Sequence, residues 1–135
     1  MIRAIALKGS AAIVCIGSLG LLLSAKPANK TVLVMVHCPA GNHAAFVTPV
    51  QAHLTLGDSL EWRMTGQVVS DSLVISLKDE QQAWPFDGDP SHGGTSARAN
   101  DAHTAGSYGY NVTLLCRVPG GGTNRVVIDP DIIIE

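Results

Sequence analysis

His37 and Cys38 stand side by side and His43 follows shortly after, a spacing of imidazole and thiolate donors suited to zinc or copper. His53, His92 and His103 could add ligands from other segments. Neighbouring residues on a strand point to opposite faces, so His37 and Cys38 can share a metal only where the strand has ended. Surface histidines beside a structural cysteine are the simpler expectation, and no cofactor is assigned. The run Asp87-Gly88-Asp89-Pro90-Ser91 opens like a calcium loop. It departs from one where the pattern is strict, with His92 in place of the turn glycine and Arg98 in place of the bidentate glutamate. A solvated acidic turn is expected there. Serines, aspartates and histidines are plentiful enough to imagine a hydrolytic triad, but no nucleophile elbow is present. A secreted enzyme of unknown class therefore has no motif behind it, and a non-catalytic chain is expected.

The segments that would position these groups begin after a leader. Arg3 and Lys8 form a basic start, an apolar run spans residues 11–23, and Ser24-Ala25 supplies a small-residue exit. That order is the signature of a secretory signal, giving a signal helix at 1–25 and one domain at 26–135. Retention of the leader as a membrane anchor is the alternative; with cleavage, no membrane contact is expected. Cys15 would suit a lipoprotein, but Val14 stands where a small residue belongs. The expected location is exported, periplasmic or extracellular. About 110 residues then remain, enough for a single core. Without Arg3 and Lys8 they carry seven basic against eleven acidic side chains, the basic ones scattered singly. A clustered basic face is what a phosphate backbone requires, so nucleic acid is excluded as a partner.

Two cysteines, Cys38 and Cys116, follow the leader. An even pair in an oxidising compartment reads first as a disulfide, with free buried thiols or a shared metal as alternatives. Helical periodicity is absent after the leader, and period-two rows replace it. Val32, Val34 and Val36 form one; Leu54 and Leu56 a second; Leu60, Trp62 and Met64 a third; Leu73, Ile75 and Leu77 a fourth. Tyr108, Tyr110, Val112, Leu114 and Cys116 form the longest. Such rows are half-buried strands, and short strands without helices between them imply a sandwich. Residues 79–105, rich in Gly, Asp, Ser, Ala and His, read as one long connection. Gly120-Gly121-Gly122 marks a compact turn, and Pro130 an edge, a bulge or a strand switch in the last strand. Ile132, Ile133 and Ile134 predict a packed C-terminus. Two glycosylation sequons occur, at Asn29 and Asn111, the second inside a strand.

Two signatures combine. The turn Gly57-Asp58 precedes a strand carrying Trp62, and Gly106-Ser107-Tyr108-Gly109-Tyr110 opens the longest strand. Their order and spacing, over nearly all of the chain after the leader, resemble the cupredoxin family of plastocyanin and azurin type. The resemblance implies an all-β Greek-key β-sandwich of about seven strands. It also implies where copper ligands would stand, and this chain lacks them. The thiolate position, four residues after Tyr108, holds Val112. Neither His nor Met follows Cys116, and the stretch after Trp62 where the first His belongs, residues 64–71, contains none. A type 1 copper site needs two His, a Cys and usually a Met, so no ligand carries over.

Trp84 and Phe86 flank Pro85 in the polar connection. Two aromatics there serve either as a plug over one end of the sandwich or as an anchor for a partner. The expectation is an exported, cupredoxin-like binding or interaction module without type 1 copper, for an unknown protein or small-molecule partner. A metal-handling protein of the cell envelope, using His37, Cys38, His43, His92 or His103, is the alternative.

Overall fold

Alternating β-branched and aromatic residues build ten strands in the structure, a computed structural model that describes residues 29–40 and 43–135. The expected signal helix, residues 1–25, lies outside the described residues. β1 (Thr31–His37), β2 (Phe46–Thr48), β4 (Ser59–Thr65), β6 (Phe86–Gly93) and β7 (Ser96–Ala102) form one sheet, in the order β2-β1-β4-β7-β6. β3 (Gln51–Leu54), β10 (Asp131–Ile134), β8 (Gly106–Arg117) and β5 (Val74–Leu77) form the second in that order, with β9 (Thr123–Ile128) also on β8. Both sheets are mixed: β1 runs parallel to β4 and β3 parallel to β10. Even-numbered residues of β1, β4, β8 and β10 point into one shared core. The period-two rows thus become the inner faces of a β-sandwich.

The strand count exceeds the expected about seven for three local reasons. The chain leaves the first sheet at the cis Thr48-Pro49 bond and joins the second at Gln51, so one edge segment counts as β2 and β3. Pro130 divides the last strand in two. Val112 faces Ile128 and Gly109 faces Asp131, so the register with β8 runs unbroken past the proline. There is no bulge. Pro130 cannot donate, but its carbonyl accepts from Tyr110 N at 3.1 Å. It marks a switch in which β9 is an edge and β10 gains β3 as a second neighbour.

The third reason corrects the reading of residues 79–105 as a loop: β6 and β7 form a hairpin there. β7 turns Ala97, Ala99 and Ala102 inward, residues without β propensity, and two register shifts break the alternation of β6. The alanines are required by their neighbours. Trp62 faces Ala97 and Leu60 faces Ala99 across the strand pair, so the largest core side chains lie beside the smallest. Leu56 departs from expectation as well; it lies beyond the end of β3 and is half exposed.

Three contacts fix the sandwich. At its centre the indole Nε1 of Trp62, on the first sheet, donates to Tyr110 Oη on the second at 3.0 Å. Both side chains are fully buried, with rings edge to face at 5.9 Å. At the start of β8, Tyr108 Oη donates back to Thr104 O at 3.1 Å, closing a tyrosine corner. Gly106 makes room for it: φ is 150°, and a Cβ there would lie 3.2 Å from that hydroxyl. Below β4, the carboxylate of Asp58 is buried. It accepts from Lys30 N at 3.0 Å, Thr55 N at 2.8 Å and Thr55 Oγ1 at 3.0 Å, with Lys30 Nζ 3.7 Å away. Burial pushes its pKa up, but the hydrogen bonds from Lys30 and Thr55 and the lysine charge outweigh burial and hold it below the ordinary carboxylate value.

Two outcomes follow from these buried groups. Burial, relieved in part by the Trp62 hydrogen bond and reinforced by Asp131, pushes the Tyr110 hydroxyl up to about 12 from 10.0. A raised pKa favours the protonated form in the fold, so this contribution is intact below pH 10 and fades as pH rises toward 12. Tyr110→Phe should lower neutral-pH stability by about 1–3 kcal/mol, because the Trp62 N–H is left unpaired. It should also flatten the alkaline fall seen in denaturant midpoints. For Asp58 the sign reverses. Its stabilisation is intact above the unfolded carboxylate pKa, about 3.9, and is lost as pH falls through the lower folded value. Asp58→Asn should therefore be destabilised at pH 7, and urea midpoints of the two proteins should converge in acid.

Candidate functional site

Strand directions place the ends of β1, β4 and β8 together, and Cys38 and Cys116 meet there. They are joined by a disulfide with Cα atoms 5.7 Å apart, which links the first sheet to the second. The sequence pairing is thus present. Both cysteines are buried, and a disulfide fits a non-reducing compartment.

The segment after β4 is laced onto β8 beside this bond. Arg117 N donates to Gln67 O at 2.6 Å, Val69 N to Leu115 O at 2.9 Å, and Leu115 N to Ser72 Oγ at 3.1 Å. Asp71 then clamps the β6–β7 turn, exchanging hydrogen bonds with the backbone of Gly94 through both its carboxylate and its own backbone N–H. The β8–β9 turn closes the end. Gly120, Gly121 and Gly122 all have φ between 87° and 100°, a run that side chains rarely tolerate.

Between these fixed segments lies a cleft of about 490 Å³, walled by Pro39, Val118 and Pro119, with Gln67 and Arg117 as its polar groups. Ala40 and Gly66 belong to it and also line a neighbouring pocket of about 370 Å³ that reaches His37, His43 and Phe46. The His37 ring stacks on Phe46 at 4.3 Å, and its Nδ1 lies 2.8 Å from Thr65 Oγ1. The carbonyl of Val36 stands 3.4 Å from the same hydroxyl, so Thr65 can donate there while accepting from His37. His43 is held by a two-way backbone bridge to Ala40.

The sequence candidates are thereby sorted. His37, Cys38 and His43 line one pocket, but Cys38 sulfur is bonded to Cys116 and is no thiolate. His53 is exposed on β3 beside Gln51, and His92 is exposed on β6. His103 follows β7, with its imidazole 3.9 Å from Asp87. Among the described residues, no three His, Cys, Asp or Glu side chains converge as a metal cluster would require. Asp87 and Asp89 lie on the bulged strand β6, not in a loop, and Asp87 pairs with Asn100. Val112 is fully buried in the core.

Phe86 is buried and Trp84 half-buried, the two rings 5.3 Å apart and packed against the core at the end opposite the disulfide. Sequence reasoning did not find Gln67 and Arg117. Arg117 reads as one more scattered charge until Gln67, fifty residues earlier, is folded against it. Neither a protein-family model nor a curated protein matches this chain.

The disulfide closes a span of 78 residues, for which chain-entropy arguments give a stabilisation of ~4 kcal/mol. Replacing Cys38 and Cys116 together by Ser should lower unfolding free energy by an amount of that order in guanidinium titrations. Adding a reductant to wild type should reproduce the shift.

Proposed function

We propose that this chain is an exported, non-catalytic, cupredoxin-like domain without type 1 copper, and that it works as a binding module through the disulfide end of its sandwich. The all-β architecture with two mixed sheets supports the fold assignment, and the inter-sheet disulfide supports export. One observation carries the functional reading. β8, the strand on which the resemblance would put a copper ligand, carries a bonded cysteine near its end, next to a cleft built from hydrogen-bonded segments. A concave, mostly apolar surface with a few fixed polar groups is what ligand seats are made of.

A second reading, metal handling, draws on His37 and His43 sharing one pocket. Titration of the purified mature domain with Cu(II), and with Cu(I) under anaerobic conditions, separates the two. The binding-module reading expects no free thiol and no stoichiometric tight copper. Tight binding of one copper per chain, abolished in both His37→Ala and His43→Ala, would replace it with metal handling.

A further inference from the structure

We propose that the cleft beside the disulfide seats a small amphiphilic carboxylate, its anionic head on Arg117 and its hydrocarbon body running over Ala40 and Gly66 toward Phe46. This rests on the reading of the disulfide end as the binding seat and names its ligand class.

The head group follows from charge. Lys30, Arg63 and Lys78 each sit in an ion pair, and Arg98 donates to Asn100 and Thr31. Arg117 and Arg125 have no side-chain partner among the described residues, and of the two only Arg117 lines the cleft, its backbone held by Gln67. Among the described residues, no acidic side chain lines either pocket. A planar guanidinium at the rim of an apolar cleft matches a carboxylate, which it can grip with two parallel hydrogen bonds. The side-chain amide of Gln67, in the same wall, can donate one more.

The body follows from the walls. Pro39 and Pro119 have no backbone N–H, and Val118 offers only methyl groups to the cleft. A polypeptide laid there would find few donors for its carbonyls, whereas a hydrocarbon needs none. Phe46 is 45% exposed at the far pocket and Val118 is 38% exposed at the near one, so apolar surface at both ends of this path is open to water. Covering it with alkyl carbon is favourable at about 0.8 kcal/mol for each buried methylene. Ala40 and Gly66, shared by the two pockets, leave the passage between them without bulk.

The test is a heteronuclear NMR titration of the mature domain with octanoate and with its neutral analogue octanamide. Wild type should show saturable shifts centred on Ala40, Gly66, Gln67, Arg117 and Val118, with octanoate about 5–10-fold tighter, the effect of one charge-assisted contact. Arg117→Gln should bring the two ligands within twofold of each other and leave octanamide affinity unchanged. Ala40→Phe, which fills the passage, should weaken both; the exposed position of each substitution lets dispersed spectra report an intact fold. Equal affinity for the two ligands in wild type overturns the carboxylate while leaving the seat standing. Absence of saturable shifts with either, or shifts confined to another surface, removes the seat and the ligand class together.

Discussion

The sandwich depends on one contact between its sheets. With two Trp, two Tyr and two Phe in the whole chain, there are few large side chains with which to fill the space between two sheets. Trp62 and Tyr110 fill its centre and satisfy each other's polar atom there, where an unpaired N–H would be costly. Much else adapts to them. The strand facing Trp62 sets alanines opposite the indole, so the smallest core side chains lie beside the largest in the Ala-, Asn- and Asp-rich β7. Valine and isoleucine on β1 and β10 close the remaining volume.

The second constraint is backbone satisfaction at the ends. At the lower end, Asp58 gathers donors from Lys30 and Thr55, while Gly57 N donates to Ala102 O and Ala102 N to Asp58 O. One turn thereby holds the start of β1 and the end of β7. At the upper end, a disulfide, the Gln67–Arg117 and Val69–Leu115 hydrogen bonds and the Asp71–Gly94 clamp do similar work. The two ends differ in what they leave open. Phe86 and Trp84 pack over part of the lower one, where a pocket lined by Asn29, Leu56, Asp101 and His103 remains, whereas the upper one keeps a cleft with an arginine at its wall.

Legibility in the sequence tracks how locally each feature is specified. β1, β4 and β8 announce themselves because each alternates over five or more residues with β-branched or aromatic side chains inward. The disulfide follows from parity and compartment alone. β6 and β7 escape because their inward residues are dictated by a partner strand, and a rule about single segments cannot see that. Leu56 misleads for the opposite reason: the alternation continues in sequence after the strand has ended in space. The cleft is the least legible part. Pro39 and Gln67 come from two connections and Arg117 from the last position of β8, and only the register of β1, β4 and β8 brings them together.

The bonded state of Cys116 also decides which chemistry the upper end can support. A thiolate at the end of β8 would be a soft ligand and a nucleophile; as half of a buried disulfide it is neither. Among the described residues, the cleft beside it is lined by Pro39, Val118 and Pro119, with the Gln67 amide and the Arg117 guanidinium as its polar groups. On the proposed reading, such a surface would discriminate among ligands by charge and by the length of an apolar body. The bond serves that task mechanically. It fixes Cys38, and with it Pro39 and Ala40, against β8, so the wall formed by β1's exit and the wall carrying Arg117 hold a constant spacing. A cleft fixed in this way would bind its proposed ligand without ordering its own loops first, which removes a cost that a flexible site would meet on each encounter.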